Sequence, residues 1–458
     1  FYRAEMLAGR LPLWNPYTRC GTPHLADPQH ATWQPLSLLW LVADTRRALA
    51  LHGFACLFGM GLTFLLFARA LDVRYGAALL GAVAYAFSGT AAAALSLPEV
   101  AARLVWAPVL FWALLHYVRV ASWAGIVLAG LALGLVWLAG SVPAALFFTI
   151  AAAGFAAWRI RFRPRRLPGP QPTAAGVGAA ALIGLGLAAV QWAPALIWYA
   201  GRAQPIEALL RFELLGVVPA RPADLLTHLL YAAPTTLERA ADTLPRVGYA
   251  GVAPLLMLPA AFFDRRHRRE ATFFALATLG ALGVGLLGGF PALRAFPFAA
   301  AFLPAAFALA VWTTLGAERL LIAGRGRLSP LVWGPALLAL AVAALLLWYA
   351  PDTIRGLIVV LVVLLLPLLV LRLRWLGPLV GAALCLTLFI DLATTNRNYY
   401  THPYEDAPAV YRAEQPALEL AREQAVDGRL LLVADALDPA LSAGAGTVQR
   451  LPVAGGDA

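Results

Sequence analysis

Apolar residues in this chain come in long unbroken runs, without the spacing of an amphipathic helix or the alternation of a half-buried strand. Twelve runs, about 15 to 26 residues each, lie at roughly 48–70, 75–96, 100–118, 122–139, 143–158, 174–199, 249–263, 271–289, 297–322, 330–350, 354–373 and 376–393. A helix rising 1.5 Å per residue needs about 20 such residues to cross ~30 Å of hydrocarbon, so each run predicts a membrane-spanning helix with its own tilt. The runs at 143–158 and 249–263 are the shortest for this task.

The polar separators alternate in character. Every second one is short and basic: Arg69 and Arg74; Arg119; the five arginines from Arg159 to Arg166; Arg265, Arg266, Arg268 and Arg269; Arg319, Arg325 and Arg327; Arg372 and Arg374. These 17 arginines stand beside only four acids, Asp72, Asp264, Glu270 and Glu318, so the whole basic excess lies on one side, which the positive-inside rule makes cytoplasmic. The basic run at Arg159–Arg166 reads as an anchor on anionic lipid. The outer side then receives residues 1–47, the turn Gly140-Ser141-Val142-Pro143, the loop 200–248, the turn from Gly288 to Pro297 and the tail 394–458. Irregular, proline-rich sequence collects there, and function is expected there too.

Composition agrees with lipid as the main solvent. Of 458 residues, 61% are hydrophobic and 13% charged, against about 25% charged in soluble domains, and the mean hydropathy is +0.74. A cytosolic enzyme, a disordered scaffold and a secreted domain are excluded. The 35 basic residues are all arginine, so lysine-based phosphate loops and Schiff-base chemistry are absent as well. Cys20, Cys56 and Cys385 are too dispersed for a disulfide framework or a zinc site. The chain opens at Phe1 without a methionine and stops at Ala458 in a domain-like stretch, so it reads as a piece lacking both ends.

Small residues recur inside the runs: Gly130 and Gly134; Gly176, Gly178, Gly184 and Gly186; Gly280, Gly283, Gly285 and Gly288. They predict close helix approaches. Gly283 to Gly288 formally fits a dinucleotide fingerprint, but it lies inside an apolar span with no strand before it. In the tail, a helical pattern over 408–424 and the turn Asp427-Gly428 before Arg429-Leu430-Leu431-Leu432-Val433-Ala434 predict the start of a small α/β outer domain.

The first outer segment carries the densest motifs: Pro12-Leu13-Trp14-Asn15-Pro16-Tyr17, then Gly21-Thr22-Pro23-His24-Leu25-Ala26-Asp27-Pro28-Gln29, then Gln34-Pro35-Leu36. Prolines hold such a loop extended, and Trp14, Trp33 and Trp40 suit a membrane interface. It reads either as a polar head-group site or as a cap on the bundle.

These three motifs resemble the first outer loop of the bacterial membrane protein YfhO family. Ala82 to Gly89, Val105-Trp106-Ala107-Pro108, Val247-Gly248-Tyr249-Ala250-Gly251, Asp391 and Asn398 resemble later family features in the same order. The likeness covers nearly the whole chain, and the first-loop motif is its specific part. That family is similar to the GT-C class of membrane glycosyltransferases that use polyprenyl-phosphate sugars. The resemblance implies an all-α polytopic bundle in the bacterial cytoplasmic (inner) membrane, with an extracytoplasmic active face. It also implies sugar transfer from a polyprenyl-phosphate carrier to a cell-envelope glycopolymer or lipid. This chain departs from the family in three places. Gly140-Ser141-Val142-Pro143 replaces Gly-His-Pro-Gln, Arg294 stands alone where the family has paired arginines, and Glu99 occupies a position where His or Asn is expected.

Individual residues keep two readings each. Asp27 is a base or metal ligand, or an Asx-type turn residue. Glu5 is the acid ahead of the Trp-Asn-Pro motif. Glu99 and Arg103, four apart, are a site pair or a local ion pair. Arg103 and Arg294 are phosphate binders, or Arg294 a snorkelling side chain. Trp14, Asn15, His24 and Gln29 complete the substrate-binding set. His24, Asp27 and His30 suggest a divalent metal by spacing, which the intervening prolines weaken. Gln191, Trp192, His52 and His116 read as packing residues.

The expected architecture is a first outer loop over 1–47, a bundle over 48–393 interrupted by the loop 200–248, and an outer α/β piece over 394–458. The expected activity is a GT-C-like transferase. Its rivals are a transporter or lipid flippase, and a non-catalytic envelope-assembly protein. The charged residues gather at helix ends rather than at the mid-membrane positions a transporter uses, which disfavours the first rival.

Overall fold

A computed structural model describes residues 1–16, 21–95, 97–162, 172–201, 251, 254, 257–287, 298–323 and 377–395. Arg294, the loop 200–248, the runs 330–350 and 354–373 and the tail domain lie outside the described residues, apart from helix ends at 200–201 and 394–395. Among the described residues the structure is helical, with one isolated antiparallel bridge, Asn15 to Thr22.

The elements are α1 (Tyr2–Leu7), α2 (Leu39–Val42), α3 (Thr45–Ala70), α4 (Tyr75–Ala86), α5 (Gly89–Ala94), α6 (Pro98–Val120), α7 (Trp123–Leu138), α8 (Val142–Arg161) and α9 (Ala174–Ala200). They continue with α10 (Arg268–Leu287), α11 (Phe302–Ala323) and α12 (Gly377–Thr395). Among the described residues, four helices are long and apolar enough to cross a membrane: Arg47–Ala70, Pro98–Val120, Val142–Arg161 and Ala174–Ala200. Their outer faces carry bare apolar side chains such as Phe54, Ile150, Leu182 and Ile197, which lipid covers.

Side-chain hydroxyls and carboxylates set where helices start. Asp44, Ser122 and Thr173 cap α3, α7 and α9 by accepting from the N–H of Arg47, Gly125 and Gly176. Ser88 does the same for α5, accepting from Ala91 at 3.2 Å. That cap breaks the run expected as one helix over 75–96 into α4 and α5. The run at 249–263 differs too: its described C-terminal part, Leu258–Phe263, is a 3₁₀ helix.

Helix α6 is the axis of the bundle. Pro108 inside it has no N–H to donate, which releases the carbonyl of Leu104 one turn earlier. The buried hydroxyl of Tyr85 donates to that carbonyl at 2.7 Å, so the defect in α6 is where α4 attaches. Around it Phe64, Phe67, Phe111, Phe155, Phe274 and Phe307 form a continuous aromatic core across α3, α6, α8, α10 and α11.

Helices α7 and α9 pack through glycine. A Cβ on Gly130 would lie 2.7 Å from the Ile183 side chain, and one on Gly184 would lie 2.8 Å from the Gly130 carbonyl. Gly134 and Gly176 are likewise in contact, whereas Gly178, Gly186, Gly280 and Gly283 face open space. Only part of the glycine pattern therefore serves helix approach.

The basic separators do meet at one end. Arg119 and Arg266 both reach the Asp72 carboxylate, at 3.2 and 3.5 Å. Arg74 pairs with Glu318 at 3.6 Å, and Arg159 pairs with Glu270. His267 bridges the Asp264 carboxylate and the Leu71 carbonyl. Beside that ring, Asp264 sits below its ordinary carboxyl value: burial opposes the charged form, but the His267 hydrogen bond and the Arg266 N–H outweigh it. Of the predicted outer pieces, the described ones, the first loop and the turn at Gly140, meet beside Glu99 at the other end of α6 from Arg119.

Candidate functional site

The first loop is built as a clamp and then laid on the bundle. Asn15 and Thr22 exchange two backbone hydrogen bonds, at 2.7 and 2.8 Å, and close the neck. Gly21 has φ +101°, and the Trp14 ring lies where its Cβ would be, so glycine alone fits there. Trp14 also meets Trp198 of α9 edge-on at 6.2 Å. Trp14 and Asn15 thus hold the loop's shape, and neither lines the cavity described below.

Asp27 caps a 3₁₀ turn over Pro28–His30, its Oδ1 accepting from the Gln29 N–H at 3.0 Å. This is the Asx-type geometry expected for an Asp-Pro pair. The turn presents the Pro28 carbonyl to the Gln191 amide of α9, which donates to it at 3.1 Å. The same carbonyl lies against Gly140, 2.8 Å from where a Cβ would sit. The Glu99 side chain crowds the same Cβ position, at 3.0 Å. Gly140, at φ +99°, therefore admits the loop, which rests on this turn.

Glu99 and Arg103 stand one turn apart at the N-terminal end of α6. Asp27 and Arg103 both act electrostatically on Glu99. Arg103 is fully enclosed. Its Nε donates to the Val136 carbonyl of α7 at 3.1 Å, and Trp192 Nε1 donates to the next carbonyl, Trp137, at 3.3 Å. Both carbonyls lie in the last turn of α7, where no intrahelical donor remains and a cation is favoured. One nitrogen of Arg103 is thus used as a helix cap. Among the described residues its Nη1 and Nη2 have no hydrogen-bond partner, and neither do Ser141 Oγ and Gln191 Oε1 nearby. Glu99 and Arg103 do not close into the hydrogen-bonded pair that their spacing allows.

Above Glu99 a cavity of about 280 Å³ opens between the first loop, α1, α2 and the start of α3. Tyr2, His24, Thr32, Trp40, His52 and Glu99 are among its walls. His24 and His30 stack at 3.9 Å with 24° between the planes, and the His30 Nδ1–H donates to the His24 carbonyl at 3.1 Å. Burial, followed by the neighbouring His30, pushes His24 down to about 2 from the ordinary 6.5, so its ring is neutral. Burial raises the Tyr2 phenol above its usual value.

Of the sequence candidates, the structure brings together Asp27, Glu99, Arg103, His24 and Gln29. Glu5 is set apart. It takes a bidentate contact from Arg10, at 2.8 and 3.1 Å, which lowers its carboxyl below the usual range, and it does not line the cavity. His24, Asp27 and His30 do not converge on a point: the two rings lie face to face, and among the described residues no cluster of three metal-ligating side chains forms. Thr32, Gln191 and His52 are site residues that the sequence reading left to packing or passed over. Gln191, a buried amide in an apolar run, was the signal available for one of them.

The residues define a helical membrane protein with an enclosed cation and a carboxylate at one end. No family model matches the chain, and no curated protein sequence matches it. Among solved structures it is similar to ArnT from Cupriavidus metallidurans, determined bound to undecaprenyl phosphate. The identity is 15% over 98% of this chain and 79% of that one, with a TM-score of 0.44, a coarse likeness.

Proposed function

We propose that the protein is a membrane glycosyltransferase of the GT-C type, acting at the outer end of the bundle. It takes a sugar from a polyprenyl-phosphate carrier and passes it to a hydroxyl of a cell-envelope glycopolymer or lipid. The observation that carries this reading is Arg103, enclosed one turn below Glu99 with both terminal nitrogens unpartnered. Keeping a guanidinium in a membrane-spanning helix is costly, and half of this one is not used by the fold. A phosphate ester supplies the acceptor oxygens that Nη1 and Nη2 lack, in the bidentate geometry guanidinium favours.

In this reading Glu99 is the base. The acceptor oxygen attacks the anomeric carbon and its proton passes to the Glu99 carboxylate. The bond from that carbon to the carrier phosphate breaks, and the phosphate leaves with the bonding electrons, stabilised by Arg103. Asp27 holds the loop turn and lends its charge to the Glu99 environment. The capping bond from Arg103 to Val136 favours a second reading, a structural arginine in a non-catalytic assembly protein.

Binding of a short-chain polyprenyl phosphate to the full chain in nanodiscs separates the two. Arg103→Lys keeps a cation that can still cap α7 but loses the fork. The transferase reading expects affinity to fall roughly tenfold or more, because charge-assisted contacts are worth about 1.5–3 kcal/mol. Glu99→Gln should bind normally and fail to transfer. Unchanged affinity in Arg103→Lys leaves the structural reading standing.

A further inference from the structure

The cavity above Glu99 has walls that the phosphate reading does not use, and their chemistry is specific. Its rings are Phe1, Tyr2, Trp40 and three histidines, with His52 stacked on Trp40 at 5.6 Å. Two enclosed polar atoms on the cavity-lining residues have no partner among the described residues: Nδ1 of His24, itself 93% buried, and Oγ1 of Thr32. Gln34 and Ser37 of the wall are already spent. Gln34 donates to Ser37 at 3.0 Å and accepts from the Leu36 N–H at 3.2 Å, and Ser37 donates to the Ala31 carbonyl at 2.7 Å. Glu99 supplies a carboxylate at the floor, and among the described wall residues the permanently charged side-chain cation is the exposed Arg3.

We propose that this cavity binds an uncharged, hydroxyl-bearing ring, a single sugar or cyclic polyol unit, as the acceptor end of the transferase substrate. The proposal rests on the glycosyltransferase reading for the word acceptor, but its binding chemistry stands on the cavity alone. Aromatic faces hold the C–H faces of such a ring, while hydroxyls reach the Thr32 hydroxyl, the His24 nitrogen and the Glu99 carboxylate. Small-molecule sites begin near 300 Å³, so the space suits about one ring and excludes an oligosaccharide. An anionic ring is disfavoured, because Glu99 and Asp27 repel it and the phosphate-type cation, Arg103, lies one turn away beneath Glu99. His24, being neutral, adds no cationic attraction to that of the exposed Arg3.

The Thr32 hydroxyl makes the test sharp. A buried hydroxyl with no partner costs the fold stability, and only a ligand repays it. Thr32→Val removes it at constant shape. The experiment is saturation-transfer NMR on the full chain in nanodiscs, with methyl glucoside as the neutral probe and glucuronate as the anionic one. The parent should bind methyl glucoside saturably, in competition with other neutral methyl glycosides, and glucuronate at least several-fold more weakly. Thr32→Val should weaken methyl glucoside several-fold to about tenfold while its melting temperature stays level or rises, and Thr32→Ser should restore binding. No saturable signal, equal binding of glucuronate, or unchanged affinity in Thr32→Val with both variants folded overturns the proposal. Binding of short-chain polyprenyl phosphate, measured on the same samples, keeps the two claims apart. Phosphate binding without glycoside binding removes this subsite and leaves the transferase reading. Thr32-dependent glycoside binding without phosphate binding does the reverse.

Discussion

His24 makes the first loop acid-sensitive, and the size of the effect follows from its burial. In the folded loop its ring titrates near 2, against the ordinary 6.5 once released, because burial opposes the charged form and His30 adds to the penalty. Below 6.5 the released loop therefore binds a proton that the seated loop refuses. Seated-loop stability is complete above that value and declines as pH falls, by about 1.4 kcal/mol per pH unit well below it. Between pH 7 and pH 5 the loss is about 2 kcal/mol, or about thirtyfold in the opening equilibrium. Glu5 and Asp264 are carboxylates held below this window, and His30, His52 and Glu99, which face the same cavity, are present in both proteins of the comparison below, so their contributions cancel. Hydrogen exchange of residues 21–38 in nanodiscs measures the opening directly. His24→Phe keeps an apolar ring against Phe1 and Tyr2, which contact His24 at 5.3 and 6.1 Å, but removes the titration. The parent should lose about thirtyfold more protection than His24→Phe between pH 7 and pH 5, after correction for intrinsic exchange. Equal losses in the two proteins would refute the reasoning, since the histidine would then be free to charge while the loop stays seated.

Two further outcomes test the frame around the site. Single cysteines at Gln29 and Arg47, in a background without native cysteine, should react with an impermeant reagent from the periplasmic or external side, and one at Arg266 should not; the reverse pattern inverts the orientation. Tyr85→Phe leaves the Leu104 carbonyl, freed by Pro108, without its 2.7 Å donor and should cost about 1–3 kcal/mol in denaturant unfolding; adding Pro108→Ala supplies an N–H one turn later and should recover most of that loss, whereas additive losses would show that the two residues are not coupled.

Much of the frame was legible because it depends on local composition. The runs at 48–70, 100–118, 122–139 and 174–199 became α3, α6, α7 and α9 within a few residues at each end. The arginine-rich separators they imply do meet, through Arg119, Arg266 and Asp72. The break at Ser88 was missed because a serine cap looks like any serine in an apolar run until its hydroxyl meets the Ala91 N–H. Site residues divided along the same line. Asp27 as a turn residue was readable from Asp-Pro. Glu99 and Arg103 were marked by the cost of charge in lipid. The spacing of His24, Asp27 and His30 suggested a ligand set, but two prolines turn the backbone and stack the rings. Gln191 receiving Pro28 joins positions 163 apart in sequence, and no local pattern encodes that contact.

The two ends of the bundle satisfy their polar groups differently, and that difference supports the proposed site more than any single residue does. At the arginine-rich end, Asp72, Glu270, Glu318, Asp264 and His267 are each met by a partner from another segment or the same turn, and one enclosed atom, Arg319 Nε, has none among the described residues. At the opposite end, His24 Nδ1, Thr32 Oγ1, Ser141 Oγ, Gln191 Oε1 and both Nη atoms of Arg103 have none among the described residues. Folding alone selects against such atoms, because each costs about 1–3 kcal/mol or more when charged. A protein built only to hold its helices together would replace several of them with apolar side chains at no loss. Their concentration beneath and beside one loop is what a site shaped around a polar substrate requires, with hydrogen-bonding capacity kept in reserve for a ligand. The exchange is directional: substitutions that satisfy or remove these atoms should stabilise the empty protein and weaken binding together. The ion pairs of the other end should show no such opposition.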